Sequence, residues 1–183
     1  MCALAGAPRA AAAVCFRRMY HYRLELARVT DAAQLAAMSH EFIEAGLRPS
    51  WGAARIGWHV RHPESVVLTA RTGIALAGFA IMRYADDTAH LDLLAVAPAH
   101  RRRGIARRLV GWLEESALTA GTFIVGLELR AGNEEARAFY RALGYRELGE
   151  IPGYYQGVET AVRMVRDVRV VREATPGSAA PPP

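Results

Sequence analysis

The order of apolar and polar residues along the chain predicts a protein in which strands and helices alternate. Apolar residues that alternate with polar ones, or short runs rich in β-branched residues, indicate strands. A Thr-Gly turn separates the second and third of these segments, and a glycine-containing loop, PGYYQG, separates the last two. The predicted strands cover residues 22–29, 65–71, 74–84, 89–98, 122–130, 145–150 and 159–166.

Four helices are predicted between these strands from apolar spacing and from residues that favour helix ends. Thr30 or Asp31 is a suitable N-cap for the first helix, and Asn133 is one for the last, whose first turn carries two glutamates that suit the helix dipole. Gly121 and Gly144 follow the third and fourth helices as C-terminal stops. The predicted helices cover residues 31–46, 51–62, 102–120 and 133–144.

The middle of the chain has the order strand, glycine loop, helix, strand, helix, which is a βαβ unit. Such a unit pairs its two strands in parallel, and ligands usually bind beyond the carboxyl ends of these strands. The flanking strands are joined by short connections, which indicate antiparallel pairing. The sequence therefore predicts an α/β (α+β) fold with a mixed, mostly antiparallel central sheet.

A chain of 183 residues in which 52% are hydrophobic is long and apolar enough for one domain with a proper core. We expect a flexible N-terminal extension over 1–20, a single domain over 21–168 and a disordered tail over 169–183. No apolar run is long enough for a membrane helix, and the alanine-rich start is interpreted as an extension rather than a signal peptide. Translation from Met1 and translation from Met19 both stay open.

The cysteines and histidines give no sign of a metal site or a disulfide framework. Cys2 and Cys15 both lie in the extension. His59 and His62 are three residues apart without a second cluster, so we interpret them as part of a solvated helix face. These features predict no metal cofactor and a reducing, cytoplasmic location.

The positive charge of the chain is concentrated in one short segment. The formal net charge is +5, every basic residue is an arginine, and residues 101–108 (RRRGIARR) hold five arginines and no acidic residue. The remaining residues therefore sum to zero. A protein that coats nucleic acid usually spreads its charge over a face or interleaves aromatic residues, so the pattern favours a local anion site.

The arginine segment lies between a predicted strand and a predicted helix, where a small phosphate group can bind. It is neither a Walker A loop, which needs a lysine, nor a dinucleotide fingerprint. Gly104 has no side chain, so backbone N–H groups there can approach a phosphate, and a helix start offers unpaired donors. The arginines add charge-assisted hydrogen bonds of roughly 1.5–3 kcal/mol each. This layout suits a compact pyrophosphate better than an extended polyanion.

The same segment resembles the signature of the GNAT superfamily of acetyl-CoA-dependent N-acyltransferases, R/Q-x-x-G-x-G/A after a strand. Arg101, Gly104 and Ala106 match it, with alanine in place of the commoner glycine. The resemblance covers residues 22–166, includes NEEARAFYRALGY, and is most similar to the ribosomal-protein-alanine N-acetyltransferase branch, which modifies protein N-termini. The first third of the chain matches more loosely. The resemblance implies a GNAT-like fold with helices on both faces of the sheet.

This resemblance also implies acetyl-CoA as the cosubstrate and assigns residues to it. The main chain at the end of the strand before the loop would pair with the pantetheine and polarise the thioester carbonyl. The loop would cradle the pyrophosphate, with Arg108 contributing less than its neighbours, and Asn133 would contact the cofactor arm. The expected cofactor-binding residues are Leu94, Ala95, Val96, Arg101, Arg102, Arg103, Gly104, Ile105, Ala106, Arg107 and Asn133.

Acetyl transfer to an amine calls for a base for the amine and an acid for the thiolate, whose free pKa is about 8.5. Tyr140 matches the family's tyrosine acid, although helical spacing alone also allows a core tyrosine; Tyr145 is expected to pack. Glu128 is the candidate base because strand alternation places it opposite the apolar face. The alternative for Glu128 is an ion pair, for instance with Arg130, and Asp92 is a weaker substitute base.

By the resemblance, the acceptor is a primary amine of a protein N-terminus, with neither nucleic acid nor a membrane as partner. An α-amine has a pKa of about 8, so roughly a tenth is neutral at pH 7 and little help from a base is needed. Tyr154 and Tyr155 are candidate substrate contacts, and Glu41, Glu44 and Trp51 can join them. A small amine or amino acid is the alternative acceptor. A nucleic-acid-binding or non-catalytic acetyl-CoA-binding module is the remote alternative.

Overall fold

A computed structural model describes residues 21–170 of the chain. The predicted extension, with both cysteines and the alternative start, and the tail beyond residue 170 lie outside the described residues. The strands within 21–170 are β1 (Arg23–Leu26), β2 (Ser65–Thr72), β3 (Ala75–Tyr84), β4 (Thr88–Val96), β5 (Ile124–Arg130), β6 (Arg146–Tyr155) and β7 (Glu159–Asp167). The α-helices are α1 (Ala32–Phe42), α2 (Ala53–Arg61), α3 (Ile105–Thr119) and α4 (Glu134–Ala142).

The strands form one sheet in the order β1-β2-β3-β4-β5-β7-β6. Its pairs are antiparallel except β4 with β5, which is the parallel pair of the predicted βαβ unit. Helices α3 and α4 pack into a first core on one face, and α1 and α2 pack into a second core on the other. The predicted mixed sheet with helices on both faces is confirmed.

Helix α4 begins where the sequence predicts, because Asn133 caps it. The Asn133 Oδ1 accepts a hydrogen bond from the backbone N–H of Ala136 at 3.0 Å. This bond satisfies one of the amide groups that have no partner inside the first turn of a helix. Asn133 therefore acts as an N-cap, and this bond leaves its amide nitrogen and the second lone pair of Oδ1 for other partners.

The prediction of a loop over PGYYQG is wrong, because strand β6 continues through it to Tyr155. The β6–β7 pairing shifts register between Ile151 and Tyr155, which accommodates the Pro-Gly pair as an irregularity within the strand. Pro152 is tolerated because β6 is the last strand of the sheet, where a missing N–H breaks no ladder bond. The turn that remains covers only 156–158.

A bulge in β4 moves its apolar side chains from one core to the other. Pairing with β3 skips Asp92, so the residues before and after it face opposite sides of the sheet. Leu91 belongs to the first core, whereas Leu93 belongs to the second. Simple alternation would have placed both residues on one face, and the bulge is what lets β4 contribute to both cores.

The parallel pairing of β4 with β5 covers only three residue pairs, the last of which joins His90 to Gly126. Beyond this point β4 pairs only with β3 and β5 pairs only with β7. The sheet is therefore split between β4 and β5 over the second half of both strands. We call this split the β4–β5 opening. Leu94 and Val96 lie on its β4 side and Glu128 lies on its β5 side.

Candidate active site

The β4 side of the opening presents main-chain groups without a strand partner. The Ala97 N–H donates to the Ala77 carbonyl of the β3 segment at 2.9 Å, so by the two-residue period of a strand Ala95 also faces β3. The N–H groups of Leu94 and Val96 consequently point toward the opening. Of the three predicted main-chain contacts, two lie at the open edge and the third, Ala95, faces β3.

The glycine loop follows this edge directly. Gly104 is the N-cap of α3 with φ 77° and ψ 4°, a left-handed conformation that favours glycine. A Cβ placed on Gly104 would meet nothing within 4 Å, so open space rather than protein packing surrounds the residue. Open space beside a helix N-terminus is what an anionic ligand requires.

The five arginines of the loop are not equivalent. The Arg101 Nε donates to the Val96 carbonyl at 3.1 Å, and the Arg108 Nη1 donates to the Tyr22 carbonyl at 2.9 Å. Arg102 lies 3.7 Å from the Glu135 carboxylate, and its side chain is 87% exposed. Arg101 and Arg108 therefore fasten the loop, and the share of each arginine in anion binding stays a prediction.

The other predicted loop positions differ in exposure. The side chain of Ile105 is buried in the first core, and that of Ala106 is half-buried at the start of α3. Arg103 and Arg107 are both exposed. Ile105 and Ala106 can therefore offer a ligand their backbone N–H groups, while Arg103 and Arg107 can offer charge.

A row of ionic side chains, each in contact with the next, crosses the sheet beside the β4–β5 opening, on the α1–α2 face. Arg83 on β3 donates to Asp92 at 2.6 and 2.7 Å, and Arg163 on β7 donates to Glu128 Oε1 at 2.8 Å. His90 joins the two halves, donating from Nδ1 to Asp92 at 3.0 Å and from Nε2 to Glu128 Oε2 at 2.7 Å. One continuous series of contacts thus links β3, β4, β5 and β7. We call it the ionic chain.

The ionic chain fixes the protonation states of its members. Hydrogen bonds to Asp92 and Glu128 raise the pKa of His90 to about 9, so the ring is an imidazolium at neutral pH. The bond from His90 lowers the pKa of Glu128 to about 2, against the effect of burial and with help from Arg163. Burial opposes ionisation of Asp92, but bonds from Arg83 and His90 outweigh it and lower its pKa.

A cavity of about 570 Å³ lies over the ionic chain on the α1–α2 face. We call it the active-site cavity. Tyr154 and Tyr155, the candidate substrate contacts, line it, and the Tyr154 hydroxyl donates to Glu128 Oε2 at 3.2 Å. Trp51 lines it as well. The two tyrosines thus form a wall beside the carboxylate that is the candidate base.

The two other acids predicted near the acceptor behave differently from each other. Glu44 lines the cavity, but its Oε1 accepts the backbone N–H and the hydroxyl of Ser50 at 2.6 and 2.7 Å. Its carboxylate therefore holds the loop after α1. Glu41 is exposed and is not among the residues that line the cavity, so the structure does not bring it to the site.

Tyr140 lies in α4 on the first-core side and is 7% exposed. Its ring contacts those of Phe139 and Tyr145, with centroids 5.0 and 5.3 Å away. Burial raises the pKa of its hydroxyl, and the proximity of Tyr155 and Glu114 raises it further. The structure thus shows Tyr140 as a packed side chain of the first core, and its role as an acid stays a prediction.

Tyr145 packs as predicted, and its hydroxyl has a structural partner. It is buried and donates to Glu114 Oε1 at 2.9 Å, and Glu114 also pairs with Arg166 at 2.6 Å. This arrangement ties α3 to the end of α4 and to β7.

The sequence interpretation missed three members of the ionic chain, His90, Arg83 and Arg163. The expected alternative partner of Glu128, Arg130, instead contacts Glu159 and the loop after α1. The polar positions at His90 and Asp92, alternating with leucines, were a usable signal, because they face the same side as Glu128. No sequence pattern indicates that an imidazole joins the two carboxylates.

The interpretation of His59 as part of a solvated helix face is wrong. His59 is 3% exposed, its Nδ1 lies 3.0 Å from the Ser65 hydroxyl, and its ring stacks against Trp51. Burial lowers its pKa. Within residues 21–170, no group of three or more His, Cys, Asp or Glu side chains is arranged to hold a metal ion. Over the same residues, no helix is long and apolar enough to cross a membrane.

Comparison with known proteins shows the family of this chain. Residues 29–145 match the model of the Acetyltransferase (GNAT) family. The chain belongs to this family. The match confirms the resemblance of the loop and of the NEEARAFYRALGY segment, and with it the predicted fold and the predicted class of acetyltransferase.

Among its relatives, the [ribosomal protein bS18]-alanine N-acetyltransferase of Salmonella typhimurium is 39% identical over 92 residues, which are 49% of this chain and 62% of that protein. The solved ribosomal-protein-S18-alanine N-acetyltransferase of Escherichia coli superposes with a TM-score of 0.71 at 25% identity, covering 84% of this chain and 97% of that one. Arabidopsis thaliana NAA60, solved in complex with acetyl-CoA, shares the fold with a TM-score of 0.71 at 16% identity, covering 82% of this chain and all of that one. The chain spans 34%, 62% and 37% of the length of three curated relatives that it matches.

The protonation of His90 can be measured directly. We expect NMR titration of the folded protein to give His90 a pKa of about 9, and Glu128→Gln to lower this value because one of its two carboxylate partners is lost. The His59 signal serves as the reference and should not move. Because folding raises the pKa of His90, its contribution to stability is complete below about pH 6.5 and is lost as the pH rises through about 9. A His90 that titrates at its ordinary value in the wild type would contradict the ionic chain.

Proposed function

We propose that this chain transfers the acetyl group of acetyl-CoA to the α-amine of a protein or peptide N-terminus. One observation carries the proposal: the β4–β5 opening has a free main-chain edge and a glycine loop for the donor, and a carboxylate cavity for the amine. The amine in the cavity and the acetyl-CoA at the main-chain edge can therefore meet at the opening. Such alignment of two reactants is a large part of what an enzyme contributes.

The residues around the opening fit acetyl-CoA, which when bound supplies an activated acetyl thioester. The N–H groups of Leu94 and Val96 lie at the free edge, where they can pair with the pantetheine amides and donate to a carbonyl that gains negative charge. The open space at Gly104 and the start of α3 fit the pyrophosphate, with Arg102, Arg103 and Arg107 adding charge. Asn133 can offer its amide nitrogen to the cofactor arm.

Glu128 positions the amine and takes up its hydrogen. With a pKa of about 2 the carboxylate stays ionised, so it can accept a hydrogen bond from an amine in the active-site cavity. It does not strip a proton from a free ammonium group, whose pKa is near 8. We therefore propose that Glu128 acts on an amine that is already neutral. It accepts the proton of this amine as the bond between the amine nitrogen and the acetyl carbon forms.

Tyr140 serves as the proton donor for the departing thiolate. Burial raises the pKa of its hydroxyl well above the ordinary value, so the group remains protonated at neutral pH. A thiol has a free pKa of about 8.5, so the thiolate is a base of moderate strength that benefits from a nearby acid. The location of Tyr140 on the first-core side, opposite the ionic chain, separates the acid from the base.

The relatives favour a protein acceptor over a small amine. Two of the proteins compared above carry names that state a ribosomal-protein alanine as the group they acetylate. An α-amine also suits the weak base of this site, because about a tenth of it is neutral at pH 7, whereas a lysine side chain, with a pKa of about 10.4, is far less available. We therefore propose an N-terminal amine, alanine first, as the acceptor.

The glycine loop can be tested by a pair of matched substitutions at the two ends of α3. Gly104 and Gly121 have φ of 77° and 81°, and a Cβ at either meets nothing within 4 Å. Both Gly104→Ala and Gly121→Ala should therefore lower the free energy of unfolding by a similar amount, about 1–2 kcal/mol. Only Gly104→Ala should weaken acetyl-CoA binding in calorimetry. Equal binding by both variants would remove the loop from the donor site.

The proposed chemistry is tested by acetylation assays with an alanine-starting peptide. Tyr140→Phe and Glu128→Gln should each lower kcat by about 10²–10⁴-fold, the usual contribution of a proton-transfer group, with a much smaller change in KM for acetyl-CoA. Tyr145→Phe is the control, because it removes a neighbouring hydroxyl that bonds only within the protein interior.

Three results would contradict the proposal. Unchanged turnover in Tyr140→Phe would remove that residue from the mechanism, and unchanged turnover in Glu128→Gln would remove the base. Faster acetylation of small amines and free amino acids than of any N-terminal peptide would replace the protein acceptor by a small one.

A further inference from the structure

A second cavity of about 540 Å³ lies next to the active-site cavity on the same face of the sheet. We call it the Trp58 cavity. It is lined by Trp58 and His62 of the α2 end and by the β3–β4 turn, and Arg83 and His90 line both cavities. Each cavity alone has the volume of a small-ligand site. A small amine would occupy one of them, whereas an extended acceptor can occupy both.

The opposite end of the active-site cavity is closed by the loop after α1. Gln156 in the β6–β7 turn binds the main chain of Arg48 reciprocally: the Arg48 N–H donates to its Oε1 at 3.1 Å, and its Nε2 donates to the Arg48 carbonyl at 2.7 Å. Arg130 adds donations to the Ile43 and Ala45 carbonyls at 3.1 and 2.8 Å. Gln156 has φ 56°, a strained conformation for a residue with a side chain, which these bonds help to hold.

The Trp58 side of the cavity offers groups that suit a peptide. The Trp58 side chain is stacked on His62, with ring centroids 4.1 Å apart, yet the residue is 48% exposed. The Nε and one terminal nitrogen of Arg83 donate hydrogen bonds to Asp92. Half of the Arg83 side chain is exposed, so its other terminal nitrogen can donate to a peptide carbonyl. An exposed aromatic face beside a hydrogen-bond donor is typical of peptide-binding grooves.

We infer that the acceptor peptide, with its amine beside Glu128, leaves the active-site cavity across Arg83 and His90 and contacts Trp58 with a residue downstream of the acetylated one. It does not leave between the loop after α1 and the β6–β7 turn, because Gln156 and Arg130 close that gap. This inference rests on the proposed function and makes it more specific. Trp58 is then a specificity-determining residue that long acceptors contact and short ones do not reach.

The test compares alaninamide with an alanine-starting hexapeptide as acceptors. The wild type should have the higher kcat/KM for the hexapeptide. Trp58→Ala should lower kcat/KM for the hexapeptide by about three- to tenfold, the loss expected for one aromatic contact, and change alaninamide turnover by less than about twofold. Alaninamide turnover also shows that the variant is folded.

Two further variants serve as a control and as a second way to block the Trp58 cavity. Trp112→Ala is the matched control, since Trp112 is a partly exposed tryptophan of α3 on the other face of the sheet, and both acceptors should be unaffected. Ala85→Tyr adds bulk to the Trp58 cavity at an exposed position and should reproduce the selective loss for the hexapeptide.

The inference is overturned if Trp58→Ala and Ala85→Tyr leave the hexapeptide as good an acceptor as it is for the wild type. It is also overturned if Trp58→Ala and Ala85→Tyr lower kcat/KM for alaninamide as much as for the hexapeptide, because the loss would then not depend on the length of the acceptor. If the wild type acetylates neither acceptor, the proposed function fails, and the inference fails with it. That outcome is distinct from normal activity without dependence on Trp58.

Discussion

The separation of β4 from β5 after three residue pairs is the constraint on which the rest of the site depends. A continuous sheet would bury the main-chain groups of both strands in a ladder and leave nothing for a ligand to pair with. Here the β3–β4 and β5–β7 pairings hold the two halves in place, and the gap between them exposes backbone donors in a fixed direction. The glycine loop and α3 follow the free strand directly, so the loop that is proposed to bind the pyrophosphate is continuous with the main-chain edge.

The ionic chain lies at the point where the two strands part. Carboxylates from β4 and β5 would repel each other across the gap, and the imidazolium of His90 relieves this repulsion by bonding to both. The same arrangement lowers the pKa of Glu128 so far that the residue cannot deprotonate an ammonium group. In the proposed mechanism, such a carboxylate acts only on amines that are partly neutral, which fits an N-terminal acceptor better than a lysine side chain. The proposed acceptor preference thus depends on the contacts of one histidine, His90, with the two carboxylates.

The sequence predicts most of the fold because its local signals agree with the tertiary structure. Asn133 caps α4, the Thr-Gly turn joins a hairpin, and the βαβ order gives the parallel pair. The bulge at Asp92 could not be predicted, since it depends on how β3 and β4 pair and not on composition. For the same reason the sequence placed Glu128 on the correct face without showing its partners, which come from three other strands. Burial of His59 was missed because its neighbours, Trp51 and Ser65, lie outside its own helix.

The central claim, that a free edge of β4 receives the donor, is tested most directly by site-resolved amide hydrogen exchange. In the free protein the amides of Leu94 and Val96 should exchange faster than that of Ala95, which faces β3. Saturating acetyl-CoA should slow amide exchange at Leu94 and Val96 by about tenfold or more relative to exchange at Ala95. Dividing by the change at Ala95 removes the general effect of the ligand on global stability. Leu94 and Val96 amides that are as protected as Ala95 before acetyl-CoA is added, or that do not respond to it, would contradict the account.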